Sequence, residues 1–374
     1  MKKMKKLFLT VVTITSILLF GCNSHEPTVE PDLSEQPVID DAIITVRQTR
    51  RDFNVAHGEH GYHAVYWLEQ INDYLPNRLA FTDRELETAE WLVATILAMG
   101  FAESQVEIQT FRYDTPTSSW WGSPTQMIDM YYSMGYYDGL EFIYYSQNVI
   151  LTIPGQSAQT IIIGAHYDGV GNPGVSDNAS GTVLLLENIY RMRNVDHYYT
   201  LQYVFFGAEE VGLVGSFYFV DNLTDAEIDN LVLMVNADVI MDGPNLVYAI
   251  GYMQQLPFSP MTIMWDPPPI HQNELSEQVK AIANQLNDQV ALDLISRPRD
   301  IIVATDQLAF LQFARPVLVF FGMHIDGVHL YGDVLHTPDD NLEFIMAEHP
   351  NRIERALREF GIFLEEVLSF GPLK

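Results

Sequence analysis

The sequence predicts a single α/β domain: a central mixed, mostly parallel β-sheet with helices on both faces. Two observations carry this. Short apolar runs without polar alternation, such as Ile161-Ile162-Ile163, mark strands buried on both sides. Amphipathic helical patterns lie between those runs, the order of a sheet covered on both faces. Composition agrees, because 48% apolar and 12% aromatic residues in a 374-residue chain supply a core and exclude wholesale disorder.

Charge and cysteine content narrow the chemistry. There are 49 acidic against 20 basic residues, a formal charge of −29, which excludes nucleic acid as a partner because a phosphate backbone needs clustered Lys and Arg. The single cysteine excludes an intramolecular disulfide and a multi-cysteine zinc or iron–sulfur site. Metal chemistry would therefore use histidines and carboxylates.

The chain opens with Lys2, Lys3, Lys5 and Lys6, then runs apolar over Leu7–Phe20. A basic region before a short apolar one reads as a signal peptide over residues 1–21, too short for a comfortable membrane span. Leu19-Phe20-Gly21-Cys22 resembles a bacterial lipobox, in which Cys22 is lipidated and becomes the mature N-terminus. The alternative is an ordinary signal peptide with an incidental cysteine. Asn23 rather than Asp follows, which in a two-membrane bacterium points to the outer membrane, with the domain in the periplasm or at the cell surface. Residues 22–43 carry Pro27, Pro31 and Pro37 among six acids and read as a disordered, acidic tether.

Residues 44–374 form the predicted domain. Thr82-Asp83-Arg84-Glu85 is a capping box opening a helix with Leu86, Ala89, Val93, Ile96 and Leu97 on its apolar face, and Gly100 closes it. Strands are expected at Val106–Phe111, Asn148–Ile153, Thr160–Gly164, Leu201–Phe206 and Leu231–Asn236, with a helix over Thr182–Met192. A closing helix, entered at Pro350, aligns Ile353, Ala356, Leu357, Phe360, Phe363, Leu364 and Val367. Two stretches read as insertions. Residues 118–147 are crowded with Trp120, Trp121, Tyr131, Tyr132, Tyr136, Tyr137, Tyr144 and Tyr145, as local packing or as a pocket wall. Residues 243–300 hold Pro267-Pro268-Pro269 and a separate helical pattern of Leu275, Val279, Ile282 and Leu286.

Chemistry gathers where strands end. Ile161–Ala165 leads into His166-Tyr167-Asp168, with Asp168 placed to accept a hydrogen bond from the second imidazole nitrogen. Gly174-Val175-Ser176-Asp177-Asn178-Ala179-Ser180-Gly181 is a polar turn before a helix, and by itself reads as an N-cap. Phe205-Phe206-Gly207-Ala208-Glu209-Glu210 puts two adjacent acids after a strand. Such a pair needs a cation or a shared proton if partly buried. Asp238 follows a further strand, and His336-Thr337-Pro338-Asp339-Asp340 occupies a loop before the last helices.

These five segments, in this order and spacing, resemble the co-catalytic di-zinc aminopeptidases: the family of bacterial leucine aminopeptidases, aminopeptidase Y and glutamate carboxypeptidase II. The resemblance covers roughly residues 70–370 and implies a zinc exopeptidase fold of the phosphorylase/hydrolase-like kind. It implies two Zn²⁺ per chain, one held by His166, Asp177 and Asp238 and the other by Asp177, Glu210 and His336. It also implies Glu209 as general base, Asp168 as the residue that orients His166, and peptides with a free N-terminus as substrates. The family often has Ser-Asp-His where this chain has Thr305-Asp306-Gln307, and an aromatic where this chain has Leu335. Tyr331 or a residue of the 118–147 stretch would then serve the oxyanion. His324 and His329 read as loop residues outside the ligand set. Two rivals remain: a one-zinc glutaminyl cyclase on the same scaffold, disfavoured by the DNASG and GAEE segments, and a non-catalytic binding lipoprotein with a relict site. The lone Cys22 also yields a direct expectation. Cys22→Ser should leave the product unlipidated, so it should leave the detergent phase on partitioning; unchanged partitioning would sink the lipoprotein reading.

Overall fold

The computed structural model describes residues 49–118, 124–254, 269–369 and 371. The leader, Cys22 and the tether lie outside the described residues, as do Trp120, Trp121, Pro267 and Pro268. Helices α1 (Tyr62–Tyr74) and α2 (Asp83–Ala98) precede β1 (Val106–Arg112) and α3 (Pro124–Ser133). Then come β2 (Tyr145–Ile153), β3 (Thr160–His166), α4 (Ser180–Met192), β4 (Thr200–Phe206), α5 (Val214–Asp221), α6 (Asp225–Asn230) and β5 (Leu231–Ala237). The remainder holds β6 (Asn245–Gly251), α7 (Glu274–Val290), β7 (Leu294–Ser296), α8 (Gln307–Phe310), β8 (Val317–Asp326), β9 (His329–Tyr331), α9 (Leu342–Glu348) and α10 (Arg352–Leu368).

Among the described residues the strands form one mixed nine-stranded sheet, ordered β1-β2-β4-β3-β5-β8-β6-β7 with β9 on β8. Its centre, β4-β3-β5-β8, is parallel. The β1/β2, β2/β4, β6/β8 and β8/β9 pairings are antiparallel, and β6/β7 is parallel. From β3 the chain crosses through α4 to β4 on one side, while β5 leads towards β6 on the other. The carboxyl ends of β3 and β5 thus flank a topological switch point, where an open α/β sheet leaves a crevice.

Side chains alternate between two cores. Ile161, Ile163 and Ala165 of β3 pack with α1, α2, α4, α7 and α10, whereas Ile162 packs with α5 and α8 on the opposite face. Fully burying one such aliphatic side chain contributes about 1.5–3 kcal/mol, which is why these strands read as continuous apolar runs. All seven apolar positions expected on the closing helix are buried in α10.

Three elements depart from expectation. Helix α2 has Thr82 as N-cap, accepting from the Glu85 amide at 3.3 Å, but its buried face is Glu85, Thr88, Ala89, Leu92, Thr95 and Ile96. Leu86, Val93 and Leu97 are only half-buried. The helix is turned because the Glu85 carboxylate is drawn inward, accepting from Phe81 N at 2.6 Å, Ser146 Oγ at 2.7 Å and Ala208 N at 2.9 Å. Residues 243–300, expected as an insertion, supply β6 and β7 of the sheet and the packed helix α7. His324 and His329 lie on the β8–β9 hairpin, so they are strand residues and not loop residues.

Candidate metal centre

The expected ligands gather around the β3/β5 crevice, from strand ends and the loops that follow them. His166 closes β3 and Asp238 follows β5, with His166 Nε2 3.2 Å from Asp238 Oδ1. Asp177 lies in the turn before α4, and its two oxygens face different imidazoles: Oδ1 is 3.2 Å from His166 Nε2 and Oδ2 is 3.0 Å from His336 Nε2. Glu210, in the turn after β4, has Oε2 3.3 Å from the same His336 nitrogen. The donor atoms of His166, Asp177 and Glu210, and those of His166, Glu209 and Asp238, each lie within 4.8 Å of one another. All four acids and His166 are buried, while the His336 side chain is 49% exposed, so the crevice opens on its side.

The GVSDNASG segment is folded by contacts to the two strand ends. Asn178 Nδ2 donates to Ala237 O at 2.9 Å, its Oδ1 accepts from Gly181 N at 2.9 Å, and Thr182 Oγ1 donates to His166 O at 2.9 Å. Gly181 is required here, because a Cβ would stand 2.2 Å from Ala237 O.

Buried carboxylates also join one loop to the next. Asp168 accepts from Glu209 N at 3.0 Å and Glu210 N at 3.2 Å, and its Oδ1 lies 3.5 Å from His166 Nδ1. Asp340 accepts from Ser176 N at 2.6 Å and Asp177 N at 3.0 Å. Asp242 accepts from Asp333, Val334 and Leu335 N at 2.9, 2.7 and 3.1 Å, fixing the turn that presents His336. Sequence reasoning missed Asp340, Asp242 and Glu85 as residues that shape the site. The HTPDD and capping-box segments held a signal for Asp340 and Glu85, whereas Asp242 had none.

The electrostatics are those of a crevice with excess negative charge. Burial, then Asp177, pushes the Glu210 carboxyl up to about 8. Burial also drives Glu209 well above the usual carboxylate range, with His166 opposing and Glu210, Asp306 and Asp238 adding. Hydrogen bonds to Asp177 and Glu210 hold His336 up to about 11. Such groups keep protons that a divalent cation would displace. Within the cluster, Glu210 Oε1 is buried without a hydrogen-bond partner, while His166 turns Nε2 to Asp177 and Asp238 and Nδ1 towards Asp168. The imidazole and carboxylate donors suit Zn²⁺-type ions. The residues present fit a metal.

Around the cluster lies a cavity of about 280 Å³, walled by Met127, Tyr131, Leu213, Val239, Phe321 and Leu335 among others. Tyr131 of α3 is buried and donates its hydroxyl to Glu210 O at 3.1 Å, so the 118–147 stretch does supply a pocket wall. Tyr331 is half-exposed and stacks on His324 at 4.9 Å, away from the residues lining the cavity. Gln307 accepts from Asn236 Nδ2 at 3.0 Å and donates to Val303 O at 2.6 Å, a structural tie to β5. His324 bonds Asp333 at 3.0 Å and belongs to neither candidate ligand group.

Fold and site together form an open α/β sheet with a metal-fitting crevice of histidines and carboxylates at its carboxyl edge. The chain belongs to peptidase family M28, whose model matches residues 148–361, more than half its length. It is 37% identical over 106 residues to the "Probable lipoprotein aminopeptidase LpqL" of Mycobacterium tuberculosis, covering 28% of this chain and 21% of that protein. The match thus spans about a fifth of that relative's length. In fold it is similar to BSAP, a zinc aminopeptidase from Bacillus subtilis, with a TM-score of 0.62 at 16% identity over 86% of this chain and 98% of that one. It is also similar to an Acidobacteriales bacterium glutaminyl cyclase, with a TM-score of 0.57 at 19% identity over 87% and 100% of the two chains.

The geometry makes the ligands unequal. Asp177 faces both histidines and Asp238 only one, so Asp177→Ala should abolish divalent-metal binding, whereas Asp238→Ala should lower the bound metal without eliminating it. Elemental analysis after dialysis against zinc and buffer checks this; equal losses in the two variants would contradict a special role for Asp177 between the two histidines.

Proposed function

We propose that this chain is a zinc-dependent aminopeptidase holding two metal ions, and that it removes the N-terminal residue of peptides. One observation carries the reading: Asp177 directs one oxygen to the His166 side of the crevice and the other to the His336 side, as a carboxylate shared by two ions would. His166, Asp177 and Asp238 would hold one zinc, and Asp177, Glu210 and His336 the other. Zinc ions bound there would supply Lewis acidity and lower the pKa of a water.

The remaining steps fall to the chain. Glu209, with its raised proton affinity, takes the water proton and returns it to the leaving amine. Asp168 orients His166 and fixes the Glu209-Glu210 turn through both amides. The Tyr131 hydroxyl, in the cavity wall, would serve the developing oxyanion in place of the family's aromatic at position 335 by turning its one proton from Glu210 O, to which it is bonded at 3.1 Å. The substrate amino group is met by the acids of the crevice. Met127, Leu213, Val239, Phe321 and Leu335 form an apolar wall that fits an aliphatic or aromatic N-terminal side chain. Cys22 lipidation would tether this activity to a membrane, a reading supported by the name of the mycobacterial relative.

A panel of aminoacyl-arylamides with and without chelator tests the function. Leucyl and phenylalanyl substrates should be cleaved ahead of aspartyl and glutamyl ones, and chelation should abolish turnover. Ammonia release from a Gln-initiated peptide, with one zinc in the fully active protein, would instead identify a glutaminyl cyclase.

The adjacent glutamates should fail in different ways. Glu209→Gln should lower kcat by about 10²–10⁴-fold, about 3–5 kcal/mol in barrier, with zinc content and KM little changed. Glu210→Gln should lower zinc content, and excess zinc should partly restore its activity. Near-normal turnover in Glu209→Gln would leave the base unidentified.

A further inference from the structure

Arg78 is the one fully buried Arg or Lys among the described residues, at 1% exposure. It lies in the connection between α1 and α2, well before the first residue matched by the family model. Its hydrogen-bond partners are all carbonyls. Nε donates to Tyr167 O at 2.8 Å, one terminal nitrogen to Leu75 O at 3.2 Å and Pro173 O at 2.7 Å, and the other to Gly174 O at 2.9 Å. The backbone adds two more ties to the same loop: Gly169 N donates to Arg78 O at 3.0 Å, and Asn77 N to Asn172 O at 3.1 Å. Residues 167–174 therefore wrap one guanidinium, and they are the connection between His166 and Asp177.

We propose that Arg78 is a positioning residue of the metal centre, the post around which the 167–177 loop folds, so that His166 and Asp177 keep their separation whether or not a metal is present. The proposal rests on the reading of His166 and Asp177 as ligands. Two features favour this over a merely space-filling role. The guanidinium presents a planar fork of donors that reaches carbonyls on both arms of the loop, which the single point of a lysine ammonium cannot do. The loop is also shaped to admit it: Gly174 has φ +59°, and a Cβ there would stand 2.9 Å from the guanidinium and 2.6 Å from Asp177 O. The charge is not spent on an ion pair, and it stands among Asp340, Asp168, Asp177 and Glu210, whose mutual repulsion it offsets.

Hydrogen–deuterium exchange on the wild-type chain, stripped with chelator, tests this first. Segment 168–179 should stay protected without metal, because Gly169 N and Ala179 N are bonded within the Arg78-centred loop. In Arg78→Lys, exchange of that segment should rise while the rest of the sheet stays protected. Zinc affinity, read by competition with a chromophoric chelator, should fall about 10–100-fold, the usual cost of losing a group that orients ligands. Wild-type zinc affinity in Arg78→Lys, or an unprotected segment in stripped wild-type protein that still binds zinc, would overturn the role of Arg78 alone. The stripped wild-type measurement stands even if the variant does not fold. A protected segment in a wild-type chain that binds no zinc would instead sink the metal reading, and this proposal with it.

Discussion

The pairing of a buried carboxylate with amides of a neighbouring loop is the interaction on which the rest of the site depends. A carboxylate out of water is costly unless it accepts hydrogen bonds, and the amides of a tight turn are equally costly if left without acceptors. Here each need meets the other. Asp168 takes the amides of Glu209 and Glu210, Glu85 that of Ala208, Asp340 those of Ser176 and Asp177, and Asp242 those of Asp333, Val334 and Leu335. In three of the four cases the carboxylate and the amides it receives belong to different loops that carry candidate ligands. The loops are thus set against one another, with the sheet supplying only their points of departure.

Those contacts, with nearby backbone bonds, also hold strained backbone around the crevice. Ala208, Leu213, Val239 and His336 all have φ between +49° and +59°, a left-handed conformation that non-glycine residues avoid. Each costs on the order of 1–3 kcal/mol and persists only where its surroundings over-determine it. Ala208 immediately precedes Glu209, and its amide is held by Glu85. Val239, β-branched, follows Asp238, and Gly322 N donates to its carbonyl at 2.9 Å. His336 comes directly after the amides bound by Asp242. The strain and the clamps coincide because sharp reversals at strand ends are what turn the donor atoms inward.

What the sequence made legible follows from range. The candidate ligands at strand ends were legible because each follows a local pattern, an apolar run followed at once by a polar residue, as in Ile161–His166 or Leu231–Asp238. The closing helix was legible for the same reason, since its seven apolar positions follow one local period. The inward turn of α2 was not, because it comes from Glu85 reaching Ala208, 123 residues away. Nor was the sheet membership of β6, whose partner β8 lies far along the chain and whose run is followed by the Pro-rich stretch that suggested an insertion. Asp242 resembles any loop acid until the turn at residues 333–335 folds onto it.

Fold alone does not separate a peptidase from a cyclase here, since solved structures of both kinds superpose on this chain at similar TM-scores. The distinction must therefore lie in how the crevice distributes charge. A one-metal site needs a carboxylate turned to a single cation, with the remaining acids free to keep protons. In this crevice Asp177 is turned to two imidazoles, and its carboxyl, although buried, is held below its usual range because His166 and His336 together outweigh the burial. Glu209 and Glu210 are pushed the opposite way, towards keeping a proton. An acid that stays ionised between two histidines can be shared by two ions, and a neighbour that holds a proton readily can pass one on. Both traits come from the same packing of carboxylates into one crevice, so the proposed bridge and the proposed base would be two consequences of a single electrostatic constraint.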